Sequence, residues 1–100
     1  MADAPKYRTI IESEEFTAQF RDFARKYSFE QLESVLSGIY WAIANNPTVF
    51  NKTTWNIYQA RSRSLGLIPA FKILFQIESE DLVSLLWIEE ISPMDEMEHP

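Results

Sequence analysis

The sequence predicts an α+β fold in which a helical hairpin packs on one face of a small antiparallel sheet, in the order β-α-α-β-β-β. Three observations carry that expectation. Phe16, Phe20, Phe23 and Tyr27 recur at spacings of four, three and four, and Leu32, Val35, Leu36, Ile39, Tyr40 and Ile43 keep the same rhythm. Phe71, Ile73, Phe75 and Ile77 alternate strictly with Lys72, Leu74, Gln76 and Glu78, and an almost wholly apolar run follows from Leu82 to Ile91. The first two patterns place one apolar stripe on each of two helices, and the third is the period of a strand with one covered face.

Taken in order, residues 1 to 6 read as a flexible lead-in. Tyr7 to Glu12 alternates weakly and forms a short first strand. Ser13 before Glu14 and Glu15 starts a helix, because its hydroxyl caps free N–H groups and the carboxylates suit the positive end of the dipole. Ser28 opens the second helix with Gln31 three residues on, and Asn45-Asn46-Pro47 ends it. Trp55 to Ser64 reads as a strand in which Trp55, Ile57, Gln59, Arg61 and Arg63 share one parity. Gly66 and Pro69 mark the connection to the alternating strand. Glu78 to Asp81 makes a turn, and the last apolar strand suits a central position, or cover on both faces, rather than a bare edge. Pro93 ends it. Residues 7 to 92 thus make a single domain, and 93 to 100 an acidic tail.

Composition bounds the function. One hundred residues with 46% hydrophobic and 14% aromatic content form one globular core. No apolar run has the roughly 18 residues a membrane helix needs, and no leader pattern opens the chain, so a soluble, cytoplasmic protein without a membrane partner is expected. The absence of cysteine excludes disulfides and thiolate metal sites, and a single histidine, His99, argues against a transition-metal centre. No cofactor and no metal are expected. The formal net charge of −6 opposes a protein that coats nucleic acid by bulk electrostatics.

Charge is nevertheless segregated. Residues 51 to 77 hold Lys52, Arg61, Arg63 and Lys72 and no carboxylate, whereas residues 78 to 100 hold eight Asp or Glu and no Lys or Arg. Shared parity puts Arg61 and Arg63 on one face, and Lys72 stands on the polar side of its strand. These three are the candidate anion-binding residues; the alternative is an exposed polar surface with salt partners in the acidic tail. Lys52 falls in a predicted loop. Trp41, Trp55 and Trp87 are read as core or interface anchors rather than as base-stacking platforms. Glu89 and Glu90, adjacent on a strand, point to opposite faces and make no acid–base dyad. His99, between Glu98 and Pro100, has the chemistry of a proton shuttle but a tail setting.

The element order, with Arg61 and Arg63 before the Gly66 loop and Phe71-Lys72-Ile73-Leu74-Phe75-Gln76-Ile77 after it, resembles the RelE/ParE toxin superfamily over roughly residues 7 to 91. Ser13-Glu14-Glu15-Phe16 is also similar to the start of that family's first helix. The resemblance implies a toxin with a cognate antitoxin as partner, acting either as a metal-independent, ribosome-dependent mRNA endoribonuclease or, in the ParE-like branch, on DNA gyrase. It implies catalytic roles for Arg61, Arg63 and Lys72, whose cations would stabilise charge on a phosphorane. Phe75 replaces a frequent tyrosine, and Glu89-Glu90-Ile91-Ser92-Pro93 stands where such nucleases carry further basic residues. That departure favours the alternative, a non-catalytic protein-interaction module of the same fold, such as a ParE-like gyrase inhibitor or an inactive relative.

Overall fold

A computed structural model describes residues 7–92. The chain runs through β1 (Thr9–Glu12), α1 (Glu14–Tyr27), α2 (Phe29–Asn45), a 3₁₀ turn at Pro47–Val49, β2 (Asn51–Thr54), β3 (Ile57–Arg61), β4 (Phe71–Ile77) and β5 (Leu82–Glu90). The strands form one sheet in the order β1-β5-β4-β3-β2, and both helices lie on one side of it. The α+β class and the helical hairpin agree with expectation.

The purely antiparallel, four-strand sheet does not. The sheet has five strands and is mixed, because β1 pairs parallel to β5, with Ile10 beside Val83 and Ile11 beside Ser84. The two helices between β1 and the rest of the sheet supply the long crossover that parallel pairing requires. The added strand is β2, whose four residues are all exposed, so no alternation announced it. It puts Lys52 in a strand rather than a loop. Trp55, expected to open the next strand, instead occupies the β2–β3 turn at φ +29°. Asn56 locks the far side of that turn: its backbone carbonyl accepts from the Ile77 N–H and its side-chain amide donates to the Ile77 carbonyl, both at 3.0 Å.

The helix stripes bury as their spacing demands. Phe16, Leu32, Leu36 and Ile43 are fully buried against Phe71, Ile73, Phe75, Val83, Leu85 and Ile88 of the sheet. Phe71 is held edge-on by Phe23 at 5.0 Å and Tyr27 at 6.2 Å. Ser13 caps α1 by accepting from the Phe16 N–H at 3.1 Å, and its hydroxyl donates to the Leu86 carbonyl at 3.1 Å. One side chain therefore starts the helix and ties it to β5. Ser28 caps α2 from a φ of +80°, a left-handed turn that lets the second helix fold back at once.

The Tyr40 hydroxyl is buried with no hydrogen-bond partner among the described residues. Burial first, then the charges of Glu12 and Glu33, raise its pKa well above the ordinary 10.0. A raised folded pKa means that this contribution to stability is complete below about pH 10 and is lost as pH rises further. Tyr40→Phe is expected to abolish that alkaline loss. At neutral pH it leaves stability unchanged or higher by up to about 1 kcal/mol, because the substitution removes an unsatisfied polar group. Urea unfolding of both proteins at about pH 7 and about pH 11 checks both parts.

Candidate functional site: the open face of the sheet

Strand alternation sorts the sheet into two faces. Phe71, Ile73 and Phe75 of β4 point into the helices, so Lys72, Leu74 and Gln76 point away from them. Ala60 and Tyr58 of β3 stand opposite Ile73 and Phe75, which leaves Ile57, Gln59 and Arg61 on the uncovered side. On β5 the register shifts between Leu74 and Phe75, so that Trp87 stands opposite Leu74 while Leu85 stands opposite Phe75. The skipped residue, Leu86, is the bulge whose carbonyl receives the Ser13 hydroxyl. By absorbing one residue, the bulge keeps Leu85 and Ile88 in the core while turning Trp87 and Glu89 outward.

The open face consequently reads as cross-strand rows. Arg61, Lys72 and Glu89 form one row. Gln59, Leu74 and Trp87 form the next, followed by Ile57, Gln76 and Ser84. Directly opposed residues lie about 5 Å apart at Cβ, so the Arg61 and Lys72 side chains share one stretch of surface. Lys72 Nζ lies 3.2 Å from the Glu89 carboxylate, with both groups partly exposed. Such a surface pair is worth at most about 1 kcal/mol, and an incoming anion can replace the carboxylate. Trp87, 42% exposed, offers a ring at the far side of Leu74 from β3.

Two of the three candidate cations, Arg61 and Lys72, are thus adjacent on the face opposite the helices. Arg63 lies beyond the end of β3, exposed, in the segment that leads into the Leu65–Ile68 turn. Lys52 is exposed on β2 and opposes Tyr58, away from this row. His99 and the acidic tail lie outside the described residues, as does the lead-in. The reading of the tryptophans as core or interface anchors is corrected in its first half: Trp41, Trp55 and Trp87 are all exposed, and the core is built from Phe, Leu, Ile, Val and Ala. Trp87 was legible only in part, because the bulge shifts it into phase with Lys72 and breaks simple alternation along β5.

Glu89 and Glu90 do face opposite ways. Glu90 turns to the helical side, where its carboxylate accepts from the Tyr27 hydroxyl and lies 3.4 Å from Lys26 Nζ. Tyr27 and then Glu90 raise the pKa of Lys26 above its ordinary 10.5. This cluster borders a groove of about 630 Å³ lined by Lys26, Tyr27, Gln31, Leu65, Leu67 and Ile68, among others. Its cation is already matched by Glu90. Among the described residues no group of His, Asp and Glu could hold a metal ion, and no helix is long and apolar enough to cross a membrane.

No family model matches this chain, and no curated protein does. Among solved structures, the crystal structure of TrmO from P. aeruginosa matches at a TM-score of 0.56 and 14% identity, over 89% of this chain. The chain spans only 36% of the length of TrmO. At this identity the likeness is one of fold. It corrects the resemblance to the RelE/ParE superfamily, which rested on element order and one local run of residues: no family model or curated toxin supports it, and the solved fold that matches is that of TrmO. The toxin, endoribonuclease and gyrase-inhibitor readings fall with it. Two helices laid on an edge-to-edge sheet is an arrangement that sequence spacing alone cannot assign to one family.

Proposed function

We propose that this domain holds a single-stranded nucleic acid on the open face of its sheet. The observation that carries the reading is the neighbouring pair of rows, Arg61–Lys72–Glu89 and Gln59–Leu74–Trp87. The cations supply phosphate contacts, which position a strand. The Trp87 ring supplies a stacking surface open to any base, and the Gln59 and Gln76 amides both donate and accept at base edges. Uncovered sheets with aromatic and cationic side chains are a recurrent solution for unpaired bases. Among the described residues the carboxylate beside these cations is that of Glu89, 3.2 Å from Lys72 Nζ. The net charge of −6 confines the contact to this patch.

Fluorescence anisotropy of a labelled oligonucleotide of about ten nucleotides tests the reading, with RNA and DNA of one sequence as parallel arms. Two or three phosphate contacts on a single strand predict that log K falls against log salt with a slope of about −1.4 to −2.1. A flat salt dependence, or no binding to either strand at low salt, would sink it.

The Lys72–Glu89 pair gives a second expected result. Glu89→Gln removes the carboxylate that competes for Lys72 and should tighten binding about three- to tenfold at low salt, an effect that fades as salt is raised. The same titration with the variant checks it.

A further inference from the structure

The two outer strands of the sheet are built differently. β2 carries Lys52 and a register irregularity between Lys52 and Thr54, and the Thr53 hydroxyl donates to the Ile57 carbonyl across the break. Bulges and lysines are devices that stop an edge from pairing with another chain. β1 has neither: Thr9-Ile10-Ile11-Glu12 pairs with β5 without irregularity. Its Thr9 and Ser13 N–H groups donate to Asp81 and Leu85. Alternation therefore turns the N–H and C=O groups of Ile10 and Glu12 to the outer side, where none of the described strands lies. The Arg8 N–H, of the same parity, is taken by the Ala44 carbonyl of α2.

We infer that a second copy of this chain pairs with β1 through its own β1, antiparallel and centred on Ile10. The edge is self-complementary in that one register. Ile10 stands opposite Ile10 of the other copy as a hydrogen-bonded pair, exchanging two N–H···O=C bonds. Two residues to either side, Arg8 stands opposite Glu12, so each end closes with opposite charges, and the Glu12 N–H meets the outward-facing carbonyl of Arg8.

The helical layer repeats the match. A two-fold axis normal to the sheet keeps both pairs of helices on one side. At the Arg8 end, Tyr7 and Trp41 form an exposed aromatic pair with ring centroids 6.3 Å apart. At the Glu12 end lies a hollow of about 310 Å³ lined by Glu12, Glu14, Thr17, Ala18 and Arg21. The two-fold brings the Arg8 end of each copy, which carries the aromatic pair, to the Glu12 end of the other, where Arg21 is a cation that an aromatic face can accept. A second copy is thus favoured over an unrelated strand, because one symmetry operation satisfies the backbone, the charges and the aromatics together. The open face lies on the other side of the sheet, so this inference stands apart from nucleic-acid binding.

Sedimentation equilibrium of the full chain tests it between about 10 µM and 1 mM, the range suited to an interface of four-residue strands. Expected is a reversible monomer–dimer equilibrium that Arg8→Glu or Glu12→Arg weakens about tenfold or more, and that the double variant restores to within about threefold. Trp41→Ala, at an exposed position that the fold does not require, should weaken it about fivefold or more. Circular dichroism confirms that each variant is folded. A chain monomeric throughout that range, a dimer indifferent to all three substitutions, or a double variant as weak as the single ones overturns the inference.

Discussion

Phe71→Ala is expected to remove about 3–5 kcal/mol of folding stability, the largest effect of any single substitution considered for this chain. Phe71 is wholly buried, and its ring is the point where α1 meets β4, held between Phe23 and Tyr27. Truncation loses the transfer free energy of the ring and leaves a cavity that two flanking aromatics fixed on a helix cannot collapse to fill. Its backbone is also committed: the Phe71 N–H donates to the Ser62 hydroxyl at 2.8 Å, and its carbonyl accepts from the Ser62 N–H at 2.9 Å. Single domains hold only about 5–15 kcal/mol in total, so the variant should lie near the edge of folding. Phe71→Leu, which keeps most of the volume, should lose less than half as much. Urea unfolding midpoints at constant slope measure both. Equal midpoints for wild type and Phe71→Ala would mean that the helices do not rest on β4 as described.

The second large effect concerns the open face. Replacing Arg61, Arg63 and Lys72 together by alanine is expected to abolish nucleic-acid binding, each lost charge-assisted contact weakening it about tenfold. The folded structure should be nearly indifferent. Arg61 and Arg63 are exposed, and the Lys72–Glu89 pair lies at the surface, where its contribution is at most about 1 kcal/mol. Binding and stability therefore separate in this variant, as they do not in Phe71→Ala. Unchanged anisotropy titrations with the triple variant would remove these cations from the site.

Much of this architecture was legible in the residues. The Phe16–Phe20–Phe23–Tyr27 stripe and the Ser13 cap located α1, and strict alternation located β4 at Phe71–Ile77, because both signals come from one covered face against one solvated one. β2 was illegible for the opposite reason: Asn51–Thr54 buries nothing, and a strand exposed on all sides leaves no periodic trace. The parallel partnership of β1 was hidden as well, since pairing direction follows from the crossover through two helices and not from four residues of strand. At the site, parity put Arg61 and Arg63 on one face and Lys72 on the polar side of its strand, but only the β3–β4 register sets Arg61 beside Lys72, and Arg63 falls beyond the end of β3. Trp87 needed the bulge at Leu86, and a bulge is a property of two strands in register that neither sequence shows singly. Family membership was the least legible. An element order and a cation-bearing strand are compatible with many chemistries, and function rests on the site.

The most direct measurement is a map of backbone and indole N–H chemical shifts as a short single-stranded oligonucleotide is added to the folded chain. Binding on the open face predicts that the shifts gather at Gln59, Arg61, Lys72, Leu74 and Trp87 and spare the exposed side of α1 and α2. Shifts centred on the helices, or a spectrum that does not move at oligonucleotide excess, would contradict it.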